Sequence, residues 1–210
     1  VRPTVPLQSP NAVFRFLSYY FDRSTRIASF VYQGIDNIIF TEKIYFAPNP
    51  NNPSIFNILD DPDLNQLLDQ AMFLAFILIG TSYYKAHPTA NIQLDHPIDE
   101  FQSRFFSTVY QEGLSQYAFE NRLKRSNLAT FYSTKSFQNK PPVSYRGHGV
   151  LALQSGGKDS LLVAELLNEH KIDFTPWYIS SSPDLSHPNI IDHLDDNFNH
   201  QKASIVYRQI

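Results

Sequence analysis

Three stretches near the start of the chain alternate apolar and polar positions with a period close to two: residues 12–21 (AVFRFLSYYF), 26–33 (RIASFVYQ) and 37–46 (NIIFTEKIYF). Alternation carried by β-branched and aromatic residues predicts strands with one buried face. The first two are joined across Asp22-Arg23-Ser24-Thr25, so an antiparallel meander is the simplest arrangement. Residues 47–54 (APNPNNPS) then read as a loop. At Asp61-Pro62 the pattern turns helical, with a carboxylate able to cap free N–H groups and a proline suited to the first helical position. The predicted helix runs to about Ile79 and stops at Gly80. Its second half is apolar almost all round, which predicts a buried central helix. Two further helices are predicted over 98–111, ended by Gly113, and over 114–123.

Residues 124–148 are polar and carry the breakers Lys140-Pro141-Pro142 and Gly147-His148-Gly149, the signature of a linker or surface excursion. Beyond them the chain alternates strand and helix: a strand over 149–153, a helix over 158–170, a strand over 173–179, a short helix over 190–198 and a strand over 203–207. That order predicts the opening of a doubly wound parallel sheet with its ligand crevice at the carboxyl ends of the strands. The expected class is α/β, divided into an N-terminal α+β domain over 1–146 and the first part of a nucleotide domain over 147–210. The opening on Val1 and the strand-like finish over 206–210 suggest a truncated sequence.

Composition narrows the function. The formal net charge of −3 over 210 residues argues against a dedicated nucleic-acid binder, and Lys124-Arg125 is the one adjacent basic pair. The absence of cysteine removes thiolate catalysis and cysteine metal sites. The most apolar run, residues 71–79, is far below the roughly 20 residues that span a bilayer. A cytoplasmic protein with no membrane segment is expected.

The chemistry concentrates in Ser155-Gly156-Gly157-Lys158-Asp159-Ser160. These residues lie where a predicted strand hands over to a helix N-terminus, a site with free backbone N–H groups and a positive dipole end. Gly156 and Gly157 allow close approach of a phosphate, Ser155 and Ser160 add hydroxyls, and Lys158 adds charge. A Walker A loop is excluded because Asp159 follows Lys158 and Ala152 stands in the place of the first glycine; the dinucleotide fingerprint is excluded because its third glycine is missing. The full S-G-G-x-D-S string resembles the PP-loop ATP pyrophosphatases, whose members hold the pyrophosphate portion of ATP in this loop and transfer AMP to an oxygen.

The N-terminal half refines this. Gly80-Thr81-Ser82-Tyr83-Tyr84-Lys85-Ala86 closes the apolar helix, and Tyr110-Gln111-Glu112-Gly113-Leu114 precedes Tyr117-Ala118-Phe119-Glu120-Asn121. With the aromatic strands, the S-G-G-K-D-S loop and the ending over 205–210, this order resembles the UDP-N-acetylmuramoyl-L-alanyl-L-glutamate epimerase family. The resemblance implies ATP- and Mg²⁺-dependent inversion of the terminal L-glutamate of a UDP-linked muramoyl dipeptide, working alongside a ligase that adds L-glutamate. It further implies that Ser155, Gly156, Gly157 and Ser160 cradle the phosphates, that Lys158 neutralises the departing pyrophosphate and that Asp159 orients the loop or holds Mg²⁺ through water.

Tyr83, Tyr84 and Lys85 are candidates for contacting the substrate, although tyrosines beside a buried helix serve equally as packing residues. Ser180, Ser181 and Ser182 are candidates for the adenine side, and His148 could approach ATP from its loop. His187, His193 and His200 lie near Asp192, Asp195 and Asp196 without a metal-ligand spacing, so a solvated helix face is the expectation there. The competing functions are another PP-loop adenylating enzyme, such as an amidotransferase-type synthetase, a 7-cyano-7-deazaguanine synthase or a tRNA-modifying ligase, and a nucleotide-binding module without catalysis.

Overall fold

The computed structural model describes residues 12–46, 62–137, 149–197 and 203–210. Among them the elements follow in the order β1 (Val13–Asp22), β2 (Ile27–Gln33), β3 (Ile39–Phe46), α1 (Pro62–Tyr84), β4 (Asn91–Leu94), α2 (Glu100–Gln111), α3 (Ser115–Glu120), β5 (Val150–Leu153), α4 (Lys158–Glu169), β6 (Phe174–Ser180), α5 (Asn189–Asn197) and β7 (Ser204–Gln209). The class is α/β with both parallel and antiparallel strand pairs. Two compact units emerge, one holding residues 12–20, 29–41 and 67–137, the other 21–28, 42–46, 62–66, 149–197 and 203–210. The chain therefore passes between units within the N-terminal strands. The domain cut expected at 146/147 falls outside the described residues, as do the 47–54 loop, Asp61, His148 and His200.

In the first unit the strands are ordered β4-β1-β2-β3. The period of two does what it predicts: Phe14 and Phe16 of β1, and Phe30 and Tyr32 of β2, are buried while their neighbours are not. Against them α1 presents Phe73, Phe76, Ile77, Gly80, Tyr83 and Tyr84, a stripe at helical spacing. Tyr32 stacks on Phe76 with centroids 5.2 Å apart and on Tyr83 at 5.0 Å. The buried hydroxyls find acceptors on the backbone. Tyr32 donates to Phe76 O (2.9 Å), Tyr110 to Ile77 O (2.8 Å) and Tyr84 to Thr89 O (2.9 Å).

Helix α1 does not stop at Gly80 but continues to Tyr84. The glycine is there for space: a Cβ would lie 2.7 Å from Phe16 Cε1, 2.9 Å from the Tyr110 hydroxyl and 3.1 Å from Tyr32 Cε1. The segment Asn65–Tyr84 is thus longer and more continuously apolar than the 71–79 run suggested, enough by length and composition to cross a membrane. Its buried stripe packs on aromatic residues of β1 and β2, while only 33% of this apolar window is buried.

Strand β4 has no counterpart among the predicted elements. It pairs parallel to β1, from Val13 opposite Asn91 to Phe16 opposite Leu94, and is pinned by Thr89 Oγ1 donating to Ala12 O (2.7 Å). Helix α2 begins two residues later than predicted because Asp99 caps it, accepting from Gln102 N (2.9 Å) while the Gln102 side chain returns to Asp99 N (3.1 Å). Helix α3 is shorter than its predicted 114–123 span.

In the second unit the order is β3-β7-β6-β5. β5, β6 and β7 are mutually parallel, whereas β7 runs antiparallel to the end of β3, with Lys43 opposite Gln209 and Phe46 opposite Val206. An N-terminal strand thus completes a sheet that the sequence assigned to the C-terminal segment alone. The junction carries a buried ion pair in which Arg208 Nε and Nη2 meet the two oxygens of fully buried Glu42 at 2.6 and 3.0 Å. Ala152, Ala164, Phe174 and Leu194 form the small core, with Leu161 and Leu167 packed against it.

Candidate functional site

Residues 155–160 (SGGKDS) occupy the turn from β5 into α4. Gln154 N donates to Trp177 O (2.7 Å), carrying the β5–β6 ladder one residue past the strand, and Ala164 of α4 packs on Ala152 of β5. The start of the helix is therefore held against the end of the strand. Gly157 is the N-cap residue, extended at φ −88° and ψ 164°, and offers no side-chain cap to the first turn. The N–H groups there remain available to an anion.

The two glycines act differently. Gly156 sits at φ +76°, a left-handed conformation that strains a side chain, and a Cβ would come 3.3 Å from Ile190 Cγ2 and 3.7 Å from Pro188 Cγ. At Gly157 a Cβ would meet only Ser155 Oγ, at 3.5 Å. The first is required by its backbone conformation; at the second a Cβ would make only an ordinary contact. Ser160 Oγ donates to Gly157 O (2.8 Å), and Ser155 N and Oγ both lie 3.4 Å from Ser160 Oγ. The paired hydroxyls brace the loop from its two ends. Lys158 and Asp159 are exposed on the first turn of α4, where their charges face solvent.

The segment from Ser181 to Pro188 walls this turn, because Pro188 and Ile190 are what Gly156 approaches. Its shape depends on Ser180, which is 1% exposed and donates to Ser186 O (2.7 Å) while accepting from Ser182 N (3.1 Å). Ser180 thus folds the wall from within and offers no hydroxyl outward. Hydrogen bonds from Ser182, and then from Ser186, hold the Asp184 carboxyl below its ordinary range. His187 faces two acceptors, Leu185 O at 3.0 Å from Nδ1 and Asp192 Oδ1 at 2.9 Å from Nε2. Among the described residues no group of three or more His, Asp or Glu side chains gathers as a metal site.

Gln154 was not singled out by the sequence. Its side chain is 1% exposed, and neither Oε1 nor Nε2 has a hydrogen-bond partner among the described residues. An unpaired buried amide of this kind costs about 1–3 kcal/mol. Its place directly before Ser155 makes it the buried polar group nearest in sequence to the loop.

The other sequence candidates belong to the first unit and do not share this site's elements. Tyr84 is fully buried, donates to Thr89 O, accepts from Ala129 N (2.8 Å), and burial pushes its phenol well above the ordinary value. Tyr83 is 7% exposed and packs on Tyr32 and Phe40, with ring centroids 5.0 and 5.1 Å away. Both lie in the packed core of the first unit. Lys85 has an exposed side chain, and its carbonyl accepts from Tyr117 OH (2.7 Å).

A family profile described as MurL N-terminal domain matches residues 7–195. Three curated relatives, each named UDP-N-acetyl-alpha-D-muramoyl-L-alanyl-L-glutamate epimerase, are similar to the chain. The protein of Salinispora tropica is 29% identical over 171 residues, 80% of this chain and 36% of its own length. That of Xanthomonas oryzae pv. oryzae is 28% identical over 173 residues, 81% and 37% respectively, and that of a Micromonospora strain 28% over 172 residues, 80% and 37%. The chain thus spans little more than a third of the length of these relatives. No solved structure matches it.

Proposed function

The chain belongs to the MurL N-terminal domain family, and from that premise we propose that the protein to which it contributes inverts the terminal L-glutamate of UDP-N-acetylmuramoyl-L-alanyl-L-glutamate in an ATP-dependent reaction of peptidoglycan precursor synthesis. The observation that carries the ATP part of this reading is the uncapped first turn of α4 behind a glycine at φ +76° and a second glycine whose Cβ position has only Ser155 Oγ within 4 Å.

The chemistry explains why an epimerase would consume ATP. An α-proton beside a carboxylate is very weakly acidic, because its removal places a second negative charge on one group. Transfer of AMP to that carboxylate, with pyrophosphate leaving, removes the first charge. The α C–H bond can then break, its electron pair delocalising onto the acyl oxygen, and a proton is returned on the other face. Water finally cleaves the mixed anhydride to AMP and the D-glutamyl product, which makes the sequence irreversible.

In this reading the N–H groups of the first turn of α4 and the hydroxyls of Ser155 and Ser160 receive the phosphate oxygens. Gly157 keeps the approach clear, and Lys158 offsets charge on the departing pyrophosphate. Asp159 is the one carboxylate of the loop, a donor set that suits Mg²⁺, which characteristically combines one or two carboxylates with phosphate oxygens and water. The 181–188 wall takes the nucleoside side, with its backbone rather than Ser180 providing contacts. A UDP-linked substrate places the reaction in the cytoplasm, downstream of a ligase that adds L-glutamate. The test is release of AMP and pyrophosphate by the full-length protein with ATP and Mg²⁺. Release that depends on the UDP-muramoyl dipeptide supports the reading; release that is indifferent to it would redirect the search to another acceptor.

A further inference from the structure

The wall formed by residues 181–188 joins β6 to α5, and its far end reaches the turn from β5 into α4, because Pro188 and Ile190 are what a side chain at Gly156 would meet. The wall opens on a turn in which Leu185 N donates to Ser182 O (3.0 Å). Leu185 sits at φ +60°, a left-handed conformation that disfavours any residue with a Cβ. At the other end Ile191 N donates to Pro188 O (2.9 Å), where α5 begins. Between the strained turn and the helix lies His187, whose ring ties one to the other.

Each ring nitrogen of His187 faces an oxygen. Nδ1 lies 3.0 Å from Leu185 O, and Nε2 lies 2.9 Å from Asp192 Oδ1 in the first turn of α5. A backbone carbonyl and an ionised carboxylate both accept and neither donates. A neutral imidazole has one N–H, so it would satisfy one of these oxygens and turn a lone pair toward the other. Only the imidazolium donates to both. The ring is partly buried, with its centroid 6.3 Å from that of Tyr178 on β6. The titratable and charged groups around it are Tyr178, Asp184 in the wall, and Asp192 and His193 on α5, and the first turn of α4 adds Lys158 and Asp159. The carboxylates favour a positive ring, while the N-terminus of α5, two residues on, disfavours it.

Resting on the reading of residues 155–160 as an ATP site, we propose that His187 is a positioning residue for the nucleotide. As an imidazolium it ties the Leu185 turn to α5 and so holds residues 181–188 against Gly156, and ATP binds to the wall in that form. Nucleotide binding is then linked to one proton. Below the ordinary imidazole value of about 6.5 the ring makes both bonds and affinity is full. As pH rises through that range the ring loses a donor, one oxygen loses its partner, the Leu185 turn is released from α5 and affinity falls. The linkage is reciprocal, so bound nucleotide holds the proton on His187. The negative phosphates act in the same direction.

The test measures binding of the α,β-methylene analogue of ATP, whose α–β bridge resists cleavage, to the full-length protein with Mg²⁺. Calorimetry at values across about pH 5 to 8 compares wild type, His187→Gln and Asp192→Asn. We expect the wild-type Kd to rise about tenfold more across this range than that of His187→Gln, the low end for a hydrogen bond to a charged group. Asp192→Asn should move the midpoint of the wild-type profile to lower pH, because an amide no longer favours the positive ring and can donate to the neutral one. The analogue's own protonation is common to all three proteins, so differences between profiles report the ring. A packing role would change Kd by the same factor at every pH. Parallel profiles in wild type and His187→Gln would overturn the proposal. So would an unmoved midpoint in Asp192→Asn, a substitution at a largely exposed side chain that keeps the test open if His187→Gln fails to fold. Wild-type protein that binds no analogue at any pH would overturn the ATP reading of the loop, and the proposal with it.

Discussion

Replacing Gly80 by alanine should destabilise the protein, although helix propensity alone favours alanine by about 1 kcal/mol. The new methyl would lie 2.7 Å from Phe16, 2.9 Å from the Tyr110 hydroxyl and 3.1 Å from Tyr32. None of these rings can swing away, because all are buried and packed edge to face or stacked on one another and on Phe76. Overpacking at such a site costs about 1–3 kcal/mol. Displacing the Tyr110 hydroxyl from Ile77 O would strand a buried polar group, costing about 1–3 kcal/mol more. Against a helix gain of about 1 kcal/mol, the net loss is about 1–5 kcal/mol. For a chain of this size each kcal/mol lowers Tm by about 2–4 °C. Thermal unfolding followed by far-UV and near-UV circular dichroism measures it. Adding Tyr110→Phe removes the atom at 2.9 Å, so the double variant should recover part of the loss. A Gly80→Ala protein with unchanged or higher Tm would refute the packing role of this glycine.

Gly157→Val should abolish ATP consumption by the full-length protein while leaving far-UV dichroism unchanged, since a Cβ there meets only Ser155 Oγ at 3.5 Å and fills the phosphate approach; undiminished turnover would count against the loop assignment. Gln154→Met should raise stability by about 1 kcal/mol in the absence of nucleotide, because it removes an unpaired buried amide, and an unfolding curve shifted to lower denaturant would show that the amide is satisfied. Asp22 accepts from Ser24 Oγ (2.7 Å), Ser24 N (2.9 Å) and Thr25 N (3.3 Å), and the hydrogen bonds of Ser24, then Thr25, hold its pKa at about 2. Because the folded value is depressed, its contribution is complete above the ordinary 3.8 and is lost as pH falls from there through about 2. A carboxyl-carbon titration with its midpoint near 3.8 would show that the turn does not hold the charge.

What the sequence disclosed was what local pattern controls. The spans of β1, β2 and β3 follow from alternation over eight or more residues, and the turn from β5 into α4 from glycines and hydroxyls gathered within six positions. Strand β4 escaped because four residues carry little periodicity and its pairing with β1 is made by chain nearly 80 positions away. Gly80 misled because a glycine at a helix end and a glycine under a crowded aromatic ring read alike until the ring is in place. The burial of Tyr83 and Tyr84 was hidden because a phenol shows its chemistry in sequence but not its surroundings. The burial of Gln154 is set by the β5–β6 register, which no local pattern shows. Pairing of β7 with β3 was hidden because it joins residues more than 160 positions apart.

The most direct measurement is glutamate chirality and α-deuterium after the full-length protein turns over the UDP-muramoyl L-Ala-L-Glu dipeptide with ATP and Mg²⁺ in deuterated water. We expect D-glutamate carrying deuterium at the α-carbon, formed in step with AMP. L-glutamate recovered without deuterium while AMP accumulates would contradict epimerisation and leave adenylation directed at a different end.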